Sequence, residues 1–369
     1  MNRFVKKEIT LLQYILAING VQVGTSILTL PGGVAKTAGT DGWISIILGW
    51  ALTTVVSLCI VHLMAKHPGD TMLELLTRYL GKWPGKAVMG IWMLYALFAV
   101  TVILFVTVSI VQEWILPNTS NYFIVTLFMI NAYMIVRGGV RIIARYAEFV
   151  FFFTLGLPIL LMFPLKDSHW IYLLPILKEG WMPILYTVKT TVIAFLGFEM
   201  AFLFYPYLQN KKAAAKGIVI ANTLTLVVYL HITFICFIYF SPEEITQFLW
   251  PTLTLVKPIQ FPFLERMEIV FVSFYIFLFS TSGIPYLFFV TDTFSQLCNK
   301  KDWQLPYLLL PLFAVVSFFF RPSYQELELW KEWWGGISYF IAYAFPVIFL
   351  FYVTGYTHWK RRQIDDKAG

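Results

Sequence analysis

Apolar residues in this chain neither alternate with polar ones nor keep to one helical face. They run on for about twenty residues at a time between short polar or charged stretches. A helix that is apolar all round belongs in a large core or in lipid, and about 20 such residues cross the hydrocarbon of a bilayer. Ten stretches qualify, at residues 10–36, 42–65, 88–111, 122–136, 144–164, 181–207, 212–240, 267–294, 305–320 and 335–356. The pattern predicts an all-α membrane protein of about ten transmembrane helices, forming one transmembrane domain over residues 1–369. The longest loops, 66–86 and 241–266, are too small to be domains and are expected on the membrane surface.

Composition agrees. Of 369 residues 59% are hydrophobic and 13% charged, against roughly 25% charged in soluble domains, so lipid must solvate the surface. The net charge of +7 need not mean nucleic acid. With the N-terminus inside, the outer loops hold Lys36, Lys166, Lys178, Lys257, Arg266, Arg321 and Lys331, and Lys189 lies within the sixth stretch. The other 19 of the 27 lysines and arginines fall on the cytoplasmic side. Cationic loops stay in the cytoplasm, so both termini are expected there and no nucleic-acid partner is implied. Cys59, Cys236 and Cys298 are too scattered for a disulfide framework or a metal site. Arg3, Lys6 and Lys7 precede an apolar run without a small-residue cleavage site, which reads as a retained first helix rather than a signal peptide.

Two stretches are interrupted at matching places. In the first, Asn19, Gly20, Gln22, Gly24, Thr25 and Ser26 crowd the midplane ahead of Pro31. In the sixth, Phe195-Leu196-Gly197-Phe198-Glu199 sets a glycine beside a carboxylate. Glycine weakens a helix and admits close backbone approach. Non-helical backbone at this depth is tolerated only where it is buried in protein or lines a cavity. Helices one and six of ten open two halves of five, the arrangement of inverted-repeat transporters, whose site lies between two discontinuous helices. The expected repeats are residues 8–165 and 180–357, with a tail at 358–369. Backbone donors freed after Gly24 favour an anion such as an amino acid's carboxylate. Close helix packing is the alternative use of these glycines.

Phe279-Ser280-Thr281-Ser282-Gly283 brings hydroxyls to the midplane of the eighth stretch, for a ligand amine, a cation, water or their own helix. Tyr95, Tyr343 and Phe345 are candidate walls of an apolar pocket. An ionisable group inside a membrane marks function by default. Glu199 is the strongest such group, expected to cap the second half-helix, carry a proton or pair with a partner subunit. Lys189 lies half a helix outward and can snorkel; His62 and His231 read as structural. No metal-ligand spacing, phosphate loop, dinucleotide fingerprint or nucleophile elbow occurs, so neither an enzyme nor a cofactor or metal is expected.

Several motifs resemble one family. They are Gly24-Thr25-Ser26-Ile27-Leu28-Thr29-Leu30-Pro31, Asp41-Gly42-Trp43, Phe195 to Glu199, Leu249-Trp250-Pro251-Thr252 and Glu265-Arg266-Met267-Glu268. Over essentially its full length the chain resembles the B subunits of nutrient germinant receptors (GerAB and GerBB type) of endospore-forming bacteria, in the amino acid–polyamine–cation superfamily. The resemblance implies a LeuT-like 5+5 inverted repeat that binds a small nutrient, commonly an amino acid, at the membrane's centre. It implies a complex with a membrane-embedded A subunit and a lipoprotein C subunit in the spore's inner membrane, signalling germination rather than bulk uptake. By position, the family's ligand pocket falls on Gly24, Thr25, Ser26, Leu196, Gly197 and Thr281, with a contact near Tyr95; Phe198 is expected to flank the ligand side chain beside Leu196. Gly24-Thr25-Ser26 replaces the Gly-Ala-Gly-like run of many relatives, and Pro285 stands where some have other residues. The main alternative is an ion-coupled amino acid permease, with Glu199, Thr281 and Ser282 as coupling or ion candidates. A scaffold with a vestigial pocket is the third reading.

Overall fold

The computed structural model describes residues 8–24, 26–259, 262, 266–298 and 304–368, and it is almost wholly helical. In chain order the helices are α1 (Leu11–Val23), α2 (Ser26–Ala38), α3 (Gly42–Ala65), α4 (Met72–Leu80), α5 (Lys82–Trp114), α6 (Asn121–Arg137), α7 (Gly139–Phe153) and α8 (Gly156–Leu160). They continue with α9 (Trp181–Ala194), α10 (Ala201–Phe204), α11 (Ala214–Tyr239), α12 (Pro251–Val256), α13 (Met267–Leu297), α14 (Gln304–Phe319), α15 (Tyr324–Ser338) and α16 (Phe345–Ala368). A π-helical turn, Tyr339–Ala344, joins the last two.

Among the described residues six helical stretches are long and apolar enough to cross a membrane, or seven with the bent pair Trp181–Ala194 and Phe198–Tyr207 taken as one. The first expected span is two helices of 13 residues each, too short to cross singly. α6 and α14 are also short, at 17 and 16 residues.

Local signals set the helix ends. Thr10 and Gln13 form a capping box on α1, as do Thr71 and Glu74 on α4, each pair satisfying two orphan amides. Just before α1, Ile9 exchanges backbone hydrogen bonds with the segment after α10: Ile9 N donates to Tyr207 O at 2.9 Å and Gln209 N to Ile9 O at 3.1 Å. The start of the first broken helix is thereby tied to the end of the second. α3 and α9 are joined by Ser45 Oγ donating to Ile184 O (2.8 Å) and Thr191 Oγ1 donating to Ser45 O (2.9 Å). Asp41 is buried and accepts from Leu177 N at 3.1 Å, so the Asp41-Gly42-Trp43 motif anchors the approach to α9.

The buried apolar residues form two clusters, and the helix breaks lie on their boundary. Val21 belongs to one cluster and Val23 to the other; Leu196 and Phe195 are divided in the same way.

The loop expected to lie on the surface at 241–266 does not do so throughout. Trp250 to Thr252 and Leu253, Leu255 and Val256 are buried, and α12 packs on α2. Proline at its first position suits a helix start. Thr252 explains the docking. Pro31 lies inside α2 and has no N–H for the carbonyl four residues earlier, which is that of Ile27. Thr252 Oγ1 donates to Ile27 O at 2.9 Å. Thr252→Val is expected to leave that buried carbonyl unpaired, at a cost of about 1–3 kcal/mol. Thermal unfolding of the purified protein in detergent checks this: the midpoint falls for the valine variant and is kept by Thr252→Ser.

Candidate functional site

At the first break α1 stops at Val23, Gly24 turns with φ −9° and ψ −132°, and α2 starts at Ser26. At the second, α9 ends at Ala194 and Gly197 takes φ +116°, a region open to glycine and strained for other residues. A 3₁₀ turn, Phe198–Met200, then leads into α10, and the two parts are bent by 43°.

The two breaks touch. A Cβ on Gly197 would lie 2.6 Å from Val21 Cγ1 and 3.0 Å from the backbone nitrogen of Gln22, and one on Gly20 would lie 3.1 Å from Thr281 Oγ1. Gly24 abuts the Ser282 hydroxyl. The expectation of mere glycine packing and that of a broken-helix junction are thus met at the same residues.

Side chains from neighbouring helices reach the carbonyls at this junction. Thr281 Oγ1 and Ser282 Oγ of α13 lie 3.2 and 3.1 Å from Gly20 O, as donors. Tyr275 OH points at Gly24 O from 3.5 Å. Gln22 Nε2 lies 3.1 Å from Phe195 O, crossing from the first break to the second, and 2.9 Å from Asn222 Oδ1. The Tyr229 hydroxyl of α11 is 2.7 Å from both Gln22 O and Ala194 O. Behind this lies a buried polar seam. Asn19 Nδ2 donates to Thr225 Oγ1 at 2.9 Å, Thr225 Oγ1 lies 2.8 Å from Gln22 Oε1, and Asn222 Nδ2 reaches Ser57 Oγ at 3.1 Å.

Glu199 is fully buried, at 0% exposure, and its carboxylate is well supplied with donors. Gly197 N donates to Oε2 at 2.8 Å; Tyr95 OH and Tyr286 OH donate to Oε1 at 2.9 and 2.5 Å. Ser338 Oγ donates in turn to Tyr95 OH at 3.2 Å. A buried carboxylate is tolerated when it is hydrogen-bonded in this way. Glu199 therefore caps the amide freed at the second break.

Of the residues expected at the site, Gly24, Gly197, Phe198, Thr281 and Ser282 are buried around the junction with Leu196 and Tyr95. Ser26 is half-buried at the start of α2; Thr25 and Glu265 lie outside the described residues. Tyr343 sits against Phe198, with ring centroids 4.8 Å apart, and its hydroxyl donates to Val192 O at 2.7 Å. Phe345 is turned elsewhere, onto Trp92 and Phe349. His231 is structural, its Nε2 lying 3.0 Å from Pro158 O. The sequence reading overlooked Asn222, Thr225 and Tyr229, a polar stripe at spacings of three and four on one face of α11, and it overlooked Tyr286 and Ser338.

Residues 8–326 match the spore germination protein family. The chain belongs to that family. It is similar to the spore germination protein GerQB of Bacillus cereus, with 28% identity over 336 residues, covering 89% of this chain and 91% of that protein. It is also similar to the spore germination protein YndE of Bacillus subtilis (strain 168), with 28% identity over 366 residues, 96% of this chain and 98% of that one. Among solved structures it is similar to Mhp1, a nucleobase-cation-symport-1 family transporter with bromovinylhydantoin bound (TM-score 0.65, 11% identity, 90% of this chain and 76% of that one). MhsT in complex with L-phenylalanine is another (TM-score 0.60, 15% identity, 83% and 78%). The chain therefore has the LeuT-like fold with discontinuous first and sixth helices. Family and fold make it a multi-pass membrane protein of germinant-receptor-B or permease-like type, not an enzyme.

The tight seat of Gly197 carries a prediction. Gly197→Ala is expected to force the second break away from Val21 and Gln22, and it is strained at φ +116° as well. The expected cost is about 1–3 kcal/mol, read as a lowered unfolding midpoint, whereas Gly336→Ala, within α15 and with open space around it, does not lower the midpoint, since alanine is the better helix former.

Proposed function

We propose that this chain is the B subunit of a nutrient germinant receptor, which binds a small nutrient, an amino acid by preference, between its two broken helices. The observation that carries the reading is the direct seating of Gly197 on Val21 and Gln22, which puts two helix breaks at one point, where discontinuous-helix transporters hold substrate. The amino acid bound to MhsT, on the same fold, supports the ligand class.

In this reading Gly24, Thr25, Ser26 and Thr281 line the backbone side of the pocket. Leu196, Gly197 and Phe198 line the side-chain end, and Tyr95 lies at its edge. Glu199 already takes the Gly197 amide and the Tyr95 hydroxyl, donors that would otherwise suit a ligand carboxylate. A nutrient carboxylate is therefore assigned to the start of α2 at Ser26, where a helix N-terminus favours an anion. Occupancy passes to a membrane-embedded A subunit and a lipoprotein C subunit in the spore's inner membrane. The charge asymmetry of the loops supports cytoplasmic termini.

A second reading, an ion-coupled amino acid permease, draws on one feature. Thr281 and Ser282 aim two hydroxyls at the same carbonyl, Gly20 O, an oxygen cluster suited to a cation, while Glu199 is a buried group able to carry a proton.

Spores carrying, lacking or altered in this gene test the proposal against a panel of amino acids and sugars. The deletion and Gly24→Trp are each expected to lose the response to the same nutrient, with the subunit still present by immunoblot. A normal response in every strain overturns the proposal, and ion-driven uptake of labelled amino acid into vesicles would then support the permease. Enlarging or shrinking Leu196 and Phe198 is expected to move the required concentrations of small and branched amino acids in opposite directions, by about tenfold per methylene-sized change. An unchanged order of preference across that series removes these two residues from the pocket.

A further inference from the structure

A crevice of about 510 Å³ opens on the lipid-facing side of the protein between α3, α9 and the π-helical turn leading into α16. Its walls include Leu52, Val56, Leu185, Val192, Tyr343 and Ile348, and Leu52, Leu185 and Ile348 are exposed. One charged residue lines it, Lys189, which is itself exposed. Its backbone carbonyl accepts from Tyr339 OH at 2.8 Å, but its ammonium has no acceptor among the described residues.

Several observations define what would satisfy that ammonium. Helical side chains lean toward the N-terminus of their helix, so Lys189 leans along α9 toward Tyr186 and Trp181. Those two are exposed, and exposed tyrosine and tryptophan sit at the level of lipid headgroups. The lysine stem thus brings its charge to the interface by snorkelling. The apolar walls continue from Lys189 in the opposite direction, past Val192 toward the level of the break at Phe195. A charge at the interface above an apolar trough is the complement of an anionic amphiphile.

We propose that this crevice is a binding site for an anionic phospholipid, whose headgroup phosphate pairs with Lys189 and whose acyl chain lies in the trough against Val192, Tyr343 and Ile348. The crevice lies on the outer side of Tyr343, whose ring packs on Phe198, and its assignment does not depend on that of the nutrient pocket.

The test uses the full-length protein in nanodiscs of phosphatidylcholine, with or without phosphatidylglycerol, and reads the thermal unfolding midpoint. Phosphatidylglycerol is expected to raise the wild-type midpoint by several degrees, as a ligand specific to the folded state does. Lys189→Met is expected to abolish the difference between the lipids and Lys189→Arg to keep it. Ile348→Trp, which fills the trough from its exposed side, is expected to reduce it. An equal midpoint in both lipids for wild type, or an equal rise for wild type and Lys189→Met, overturns the proposal. So does inorganic phosphate giving the same rise in phosphatidylcholine, which would make the site one for a free anion. If Lys189→Glu instead loses a co-purifying membrane subunit while the lipid effect is unchanged, the lysine serves a protein partner and the lipid assignment fails.

Discussion

A backbone carbonyl stranded by a helix break inside a bilayer has no water to turn to and must find its donor in the protein. Most of the architecture around the midplane answers that requirement. Thr252 covers the carbonyl that Pro31 leaves open, Gln22 covers Phe195, and Tyr229 serves Gln22 and Ala194. Each donor comes from a different part of the chain. The breaks can exist only while α11, α12 and α13 stand in register with α1 and α9, and the junction therefore depends on the packing of the whole bundle.

The same constraint explains a fully buried carboxylate. Glu199 removes the orphan amide of Gly197, and two tyrosines and a serine then spread its charge over a chain of hydrogen bonds. Such a network is stable only when complete, which joins α5, α13 and α15 to a three-residue turn. It also narrows the chemistry left for a guest, since the donors at the second break are taken.

Much of this was legible in the sequence, for a definite reason. Interrupted apolar runs are conspicuous, so both breaks follow from residues 19–33 and 195–199, while capping was one of three uses open to Glu199 until the Gly197 amide was seen beside it. The number of spans was harder to read against the structure, because a break leaves two halves each too short to cross. The partners of the breaks gave weaker signals. Asn222, Thr225 and Tyr229 form a stripe visible at helical spacing, but nothing local says which helix it faces. Tyr286, which reaches Glu199, and Ser338, which reaches Tyr95, come from distant segments and carry no local signal at all. The Trp250-Pro251-Thr252 motif was recognisable as a family feature, yet its work, replacing the amide that Pro31 lacks, appears only when Ile27 is seen beneath it.

The Tyr229 hydroxyl has one hydrogen to give and two carbonyls at equal distance, one on each broken helix. Rotation about its C–O bond hands the hydrogen from one repeat to the other without moving a heavy atom. That single contact can thus serve either broken helix at no more cost than turning a hydroxyl, whereas the Gln22–Phe195 bond and the seat of Gly197 beside it hold the two together.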